Sequence, residues 1–171
     1  GTVAIVTGGT RGIGFGIAAE LVSRGASVCI TARKPDELDQ AVAELDPQGS
    51  GRAIQSRGSA DDTDHQQATV EATMAAFGRV DYLVNNAAVN PYFGPLIEAD
   101  VSAVRKIFDV NVLATLAWDR LVWDAWLKDN GGAILNIASV GGLRTGPFLG
   151  AYNASKAALI HITKQLSHEL A

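Results

Sequence analysis

Short unbroken apolar runs recur along the chain: Val3-Ala4-Ile5-Val6, Val28-Cys29-Ile30, Tyr82-Leu83-Val84 and Ala133-Ile134-Leu135-Asn136-Ile137. Runs this short and without alternation read as strands buried on both faces. Between them apolar residues fall at helical spacing, as with Ile13, Ile17 and Leu21 early on and Val70, Met74 and Phe77 later. A further strand is placed near Arg52 to Ser56 by rhythm, since its only strong strand former is Ile54. Strand and helix in alternation imply right-handed crossovers and an open parallel sheet with helices on both sides. The predicted class is therefore α/β, a doubly wound parallel sheet in three α/β/α layers. The last helix is expected from about Tyr152 to the final residue, Ala171. A doubly wound sheet ordinarily continues past such a helix, so the sequence is expected to lack the C-terminal strands. Gly49-Ser50-Gly51 reads as a turn, and residues 1–171 as a single domain without internal repeats.

Composition narrows the partners. Of 171 residues 47% are hydrophobic, enough for a sizeable core, and 14 Lys+Arg against 18 Asp+Glu give a net charge of -4. That balance leaves no basic face for a phosphate backbone, so nucleic acid is not an expected partner. Cys29 stands alone and reads as a small apolar residue inside a strand. The greasiest region, Val110 to Leu127, is interrupted by Asn111, Asp119, Arg120 and Asp124, so no membrane span is expected. With no basic-then-apolar leader, the expected location is a reducing cytoplasm. His65, His161 and His168 show no ligand spacing, and no metal is expected.

Candidate chemistry begins after the first strand, where Thr7-Gly8-Gly9-Thr10-Arg11-Gly12-Ile13-Gly14 opens directly into a helix. Glycines 8, 12 and 14 permit a tight turn and close approach of backbone N–H groups to a pyrophosphate. A bare glycine pattern also suits an ordinary strand-to-helix turn, but a strand before it and a helix after it favour a dinucleotide. Gly8, Thr10, Arg11, Gly12, Ile13 and Gly14 are accordingly candidate cofactor-binding residues. The end of the second strand, Ile30-Thr31-Ala32-Arg33-Lys34, carries no carboxylate to bind ribose hydroxyls. Arg33 instead offers a planar fork for phosphate oxygens, with Arg11 reaching the same group from the other side. NADP(H) is thus expected over NAD(H); the competing reading makes Arg33 and Lys34 solvated surface charges.

From these residues onward the chain resembles the short-chain dehydrogenases/reductases, a family with a Rossmann-type fold, over Thr2 to Ala171. The resemblance is carried by the glycine turn, Asn85-Asn86-Ala87-Ala88, Asn111, Ser139 and Tyr152-Asn153-Ala154-Ser155-Lys156, in this order and spacing. A tyrosine and a lysine four apart share one helix face. A phenol, with a reference pKa of about 10, serves as an acid–base group near neutrality only where a cation favours its ionised form. Lys156 would be that cation. By the resemblance, Tyr152 is the general acid/base, and Lys156 also holds the nicotinamide ribose. Ser139 steadies the substrate oxygen, and Asn111 holds a water in a proton relay through the lysine. Asn86, Ala87 and Ala88 would pack beside the adenosine half, with Ala88 where the family usually has glycine. Ser59, followed by Ala60, falls where the family commonly has an aspartate toward the adenine. Asp61 and Asp62 read as helix-start residues.

The function implied is hydride transfer between NADP(H) and a ketone or secondary alcohol, with 3-oxoacyl thioesters among the family's substrates. The alternative is a non-catalytic dinucleotide-binding protein on the same fold, which would be expected to lose Ser139, Tyr152 or Lys156. A serine hydrolase built on Ser139 fits poorly, because Ala138-Ser139-Val140-Gly141 lacks the glycine of a nucleophile elbow. Val89 to Phe93 and Gly142 to Leu149 form an expected apolar substrate wall, with Arg144 solvated. Trp118, Trp123 and Trp126, with Leu113, Leu116, Leu121 and Val122, give one helix more apolar surface than a single face needs. That points either to a homodimer or homotetramer interface, as the resemblance implies, or to a tryptophan-rich core.

Overall fold

The structure, a computed structural model, describes residues 1–171. Five strands form one parallel sheet: β1 (Val3–Thr7), β2 (Ser27–Ala32), β3 (Ala53–Arg57), β4 (Tyr82–Asn85) and β5 (Ala133–Asn136), in the order β3-β2-β1-β4-β5. The helices are α1 (Gly12–Ser23), α2 (Pro35–Leu45), α3 (Thr63–Phe77), a long α4 and α5 (Gly150–Glu169). Helix α4 runs over 101–130, with π turns at Asp109–Leu113 and Trp123–Leu127 between its α-helical stretches. The register pairs Thr7 with Thr31, Thr31 with Ser56, and Asn85 with Asn136, so the carboxyl ends of the strands share one edge. The chain winds outward from β1 through β2 and β3, then returns to place β4 on the other side of β1. The crevice at such a reversal is where ligands of open parallel sheets bind.

Successive side chains of a strand point to opposite faces, which splits the core in two. Ala4, Val6, Val28, Ile30 and Val84 meet Ala18 of α1 and Leu38, Ala41 and Leu45 of α2. Ile5, Cys29 and Leu83 meet Val70 of α3 and Trp118, Val122 and Leu127 of α4. Cys29 is fully buried in β2, and burial pushes its thiol up to about 11. No helix is long and apolar enough to cross a membrane.

Several expectations are corrected. Helix α5 begins two residues before Tyr152. In α1 Ile17 and Leu21 pack against the core as expected, but Ile13 is 64% exposed, and the buried positions are the small Gly14 and Ala18, where the helix lies closest to the sheet. Helix α3 buries His65, Gln66, Thr69 and Thr73 beside Val70; Gln66 Nε2 donates to Ala60 O (2.7 Å) and the threonine hydroxyls to carbonyls one turn back, while His65 Nε2 and Gln66 Oε1 are buried without a partner. Within these 171 residues β5 is the outer strand of the sheet, and Leu135 on it is half exposed. Trp118 is 1% exposed and donates from Nε1 to Ala60 O at 3.0 Å, and Trp123 and Trp126 pack on the same core. Trp118 is therefore a core residue, Trp123 and Trp126 are half-buried against that core, and the most exposed large apolar residues of α4 beyond its first turn are Leu113 (59%) and Leu116 (40%).

Candidate active site

The turn between β1 and α1 is built around Asn86. Its Nδ2 donates to Thr7 O (3.0 Å) and Gly8 O (2.9 Å), while the N–H groups of Asn86 and Ala87 both donate to Thr7 Oγ1 (3.0 and 3.1 Å). Four bonds thus lash the glycine turn to the end of β4. A Cβ on Gly14 would overlap the Gly8 carbonyl oxygen and the Asn86 amide, so only glycine lets α1 start this close. Arg11 caps α1 with extended backbone and no side-chain bond, and the first turn holds no acid. The first-turn N–H groups therefore remain available to an anion, which the helix dipole also favours.

A cleft of about 480 Å³ opens over this turn. Of the predicted cofactor residues, Gly8, Thr10, Arg11, Gly12, Arg33, Ser59, Ala60, Asn86, Ala87 and Ala88 line it; Ile13 and Gly14 lie beside it. Tyr152 and Lys156 are not among its lining residues. Thr31, Ala32, Lys34, Glu37, Gly58, Val89, Lys106 and Val110 also line it. Its cations differ in availability. Lys34 donates to Glu37 Oε1 at 2.6 Å, a bond that holds the Glu37 carboxyl below its ordinary value. Lys106 pairs with Asp61, which also accepts from Ser59 Oγ at 2.5 Å. Burial pushes the Asp61 carboxyl up, but the Lys106 and Ser59 bonds outweigh it and hold it below its ordinary value. The side chains of Arg11 and Arg33 have no carboxylate partner. Asp61 is thus not a helix-start residue as expected, because Lys106 and Ser59 claim it; Asp62 is, accepting from the N–H groups of Asp64 (3.0 Å) and His65 (3.2 Å).

Farther along the same sheet edge, Asn111 sits in the first π turn of α4 and is 1% exposed. Its Oδ1 accepts from Val89 N at 2.8 Å, and its Nδ2 donates to Val89 O (3.0 Å) and Ser155 Oγ (3.1 Å). Through these bonds the amide braces the loop after β4 against α5. Ser155 Oγ in turn donates to Tyr152 O at 2.7 Å. Lys156 is 3% exposed, and its ammonium donates to Ile137 O at 2.6 Å. Burial holds that ammonium below the ordinary lysine value. Its Nζ stands 5.9 Å from the centroid of the half-buried Tyr152 ring. Ser139 caps the short turn Val140–Gly142, its Oγ accepting from Gly141 N at 3.1 Å. That turn lies directly on α5, since a Cβ on Gly142 would stand 2.8 Å from the Lys156 backbone. Asn111 and Tyr152 are thus joined through Ser155, with Lys156 beside the Tyr152 ring and the Ser139 turn packed on the same helix.

The sequence model of short chain dehydrogenases matches residues 2–171. The chain belongs to the short-chain dehydrogenase family. Among curated relatives it is 42% identical to dehydrogenase/reductase SDR family member 4 of Sus scrofa, over 99% of this chain and 60% of that protein. The Caenorhabditis elegans protein of that name is 37% identical, covering 100% of this chain and 66% of its own length. The chain therefore spans about 60% of the first of these relatives. Among solved structures, a short-chain dehydrogenase/reductase from Burkholderia phymatum in complex with NAD superposes with a TM-score of 0.93 at 33% identity, over 99% of this chain and 60% of that one. A 3-oxoacyl-[acyl-carrier protein] reductase from Brucella melitensis gives 0.90 at 33% identity, over 99% and 70%.

In this short-chain dehydrogenase, sequence reasoning missed Lys106 and Glu37 in the cleft. Lys106 reaches it from α4, 45 residues from its partner Asp61, and no local pattern marks such a contact. Glu37 and Lys34 form an (i, i+3) pair at the start of α2, a spacing that was there to be read.

Proposed function

We propose that this short-chain dehydrogenase is an oxidoreductase transferring hydride between NADP(H) and a ketone/secondary alcohol pair, with 3-oxoacyl thioesters among the candidate substrates. The observation that carries the reading is Lys156, a buried ammonium beside Tyr152 with one protein acceptor for its three N–H groups. Two donors are thereby left for a ribose hydroxyl and the tyrosine. The cofactor fits the residues present: uncapped N–H groups at α1 suit the pyrophosphate. Arg11, Arg33 and Lys34 against Glu37 leave two net positive charges for a 2′-phosphate.

When bound, the nicotinamide supplies or accepts the hydride at the carbonyl carbon. In reduction, Ser139 Oγ donates a hydrogen bond to the carbonyl oxygen, and Tyr152 Oη delivers its proton to that oxygen as the alcohol forms. The Lys156 ammonium stabilises the resulting phenolate until solvent returns the proton. Asn111 holds α4 and α5 together beneath these groups.

Phe93 and Phe148 pack at 5.6 Å between ring centroids, and Gly94 N donates to Phe148 O at 3.0 Å. With Leu143 exposed nearby in sequence, this apolar surface supports a ketone or acyl chain over a sugar. The exposed Leu113 and Leu116 of α4 support a homo-oligomer. Substituting Tyr152→Phe tests the catalytic assignment. Turnover of ketones with NADPH is expected to fall at least about a thousandfold, in line with loss of a general acid, while cofactor affinity stays within about twofold. Substantial residual turnover would refute the role of Tyr152.

A further inference from the structure

Where β4 and β5 end, the sheet encloses a chain of polar side chains. Asn85 Nδ2 donates to Asp119 Oδ1 at 2.6 Å and to Asn136 Oδ1 at 2.9 Å, and Asn136 Nδ2 donates to Thr163 Oγ1 at 3.0 Å. Asn85 is 4% exposed and Asp119 2%. Two atoms of this cluster are buried without a partner: Asn85 Oδ1 and Asp119 Oδ2. Both are acceptors, and they belong to the two residues already joined through their other atoms. Buried unpartnered acceptors are costly, and a single proton on Asp119 Oδ2 would satisfy both at once.

We propose that Asp119 in its protonated form donates from Oδ2 to Asn85 Oδ1, and that this acid–amide pair, closed in mildly acidic solution and opened on ionisation, is a pH-dependent positioning device for Lys156. A planar acid and a planar amide joined by one bond need only that proton to close the second. The route to Lys156 is short. The Asn85 carbonyl accepts from Ile137 N at 2.9 Å, and the Ile137 carbonyl accepts from the Lys156 ammonium at 2.6 Å. Ionisation of Asp119 sets acceptor against acceptor beside Asn85, and the displaced strand end carries the Ile137 peptide with it.

The surroundings agree. Burial pushes the Asp119 carboxyl up to about 6 against the opposing bonds of Asn85 and Asn136, and no charged group contributes. From α3 the titratable side chain facing this part of α4 is His65, edge-on to Trp118, and burial holds it below its ordinary value. From α5 the charged group is Lys156, one peptide removed. On α4 itself Arg120 and Asp124 pair with each other at the surface.

D119N is the test, because it keeps the planar shape, supplies a donor to Asn85 Oδ1 and cannot ionise. A native value of about 6 against an ordinary 3.8 makes the unfolding constant of the wild type, relative to D119N, rise about tenfold between pH 5 and pH 8. In the wild type, the carboxyl carbon of ¹³C-labelled Asp119 and the amide of Ile137 are expected to titrate together near pH 6, and the Ile137 amide of D119N to stay still. A flat stability ratio, D119N less stable than wild type at pH 8, or an Asp119 carbon ionised throughout would overturn the acid–amide pair. An Ile137 amide that ignores the Asp119 titration would overturn the positioning role. The link to Lys156 rests on the proposed cofactor reading, and NADH affinity probes it: wild type is expected to lose affinity relative to D119N above pH 6. Parallel pH profiles would overturn that link. Failure of both proteins to bind NADPH as well as NADH at any pH would instead overturn the cofactor reading, while the stability and carbon titrations still judge the pair.

Discussion

Replacing Asn111 by alanine removes three hydrogen bonds from a side chain that is 1% exposed: one accepted from Val89 N and two donated to Val89 O and Ser155 Oγ. Each such bond contributes about 1 kcal/mol net, and a buried group left without a partner costs more. Ser155 keeps its bond to Tyr152 O, and Val89 is only half-buried, so water can recover part of the loss there. The expected destabilisation is therefore about 3 kcal/mol, a large share of the roughly 5–15 kcal/mol available to a domain. With a urea dependence of about 2 kcal/mol per molar, the midpoint should fall by about 1.5 M, read from tryptophan fluorescence. Asn111→Asp keeps the acceptor for Val89 N but loses both donors, buries an unpaired carboxylate and sets an oxygen against Val89 O, and should be destabilised at least as much as the alanine variant near neutral pH. A midpoint shift below about 0.5 M for Asn111→Ala would mean that this amide does not brace α4 against α5, and the argument from its three bonds would fail.

Other outcomes follow from the same geometry. Gly14→Ala drives a methyl group into the Gly8 carbonyl and the Asn86 amide, and overpacking of this kind should cost about 1–3 kcal/mol in urea unfolding, with cofactor affinity reduced as the turn shifts. Asp81 accepts from Val3 N (2.8 Å) and from Arg79 at 2.8 and 2.6 Å; burial pushes its carboxyl up, but the Arg79 bonds outweigh it and hold it below its ordinary value. Its contribution is present above the unfolded value of 3.8 and is lost as pH falls through the lower native value. Asp81→Asn should therefore cost about 2 kcal/mol at pH 7 and progressively less toward pH 3, measured as the difference between the two unfolding curves.

Much of this architecture was legible in local pattern. Continuous apolar runs marked four strands because parallel strands are covered on both faces, and the Thr7 to Gly14 turn carried its own flanking strand and helix. The Tyr152/Lys156 spacing likewise needed only the period of one helix. What escaped notice was set by contacts between distant residues. The buried face of α3 is largely polar, and nothing local shows that Gln66 will find carbonyls at Ala60 and Ala114. Leu135 reads as a buried residue until the sheet order makes β5 the outer strand within these 171 residues. The tryptophans of α4 leave core and interface both open in the sequence because the π turns that rotate its faces leave no periodic mark. Asp119 looked like a polar interruption in a greasy helix, and its pairing with Asn85 spans 34 residues.

The central claim is a dinucleotide cleft that reads a 2′-phosphate. Its most direct test is a fluorescence titration of the wild type and of Arg33→Ala with NADPH and, separately, NADH. The wild type should bind NADPH at least about tenfold more tightly, since one charge-assisted bond from a solvent-facing guanidinium is worth about 1.5 kcal/mol, and Arg33→Ala should lose most of that preference while keeping its NADH affinity. Tighter binding of NADH by the wild type, or equal loss of both cofactors on removing Arg33, would contradict it.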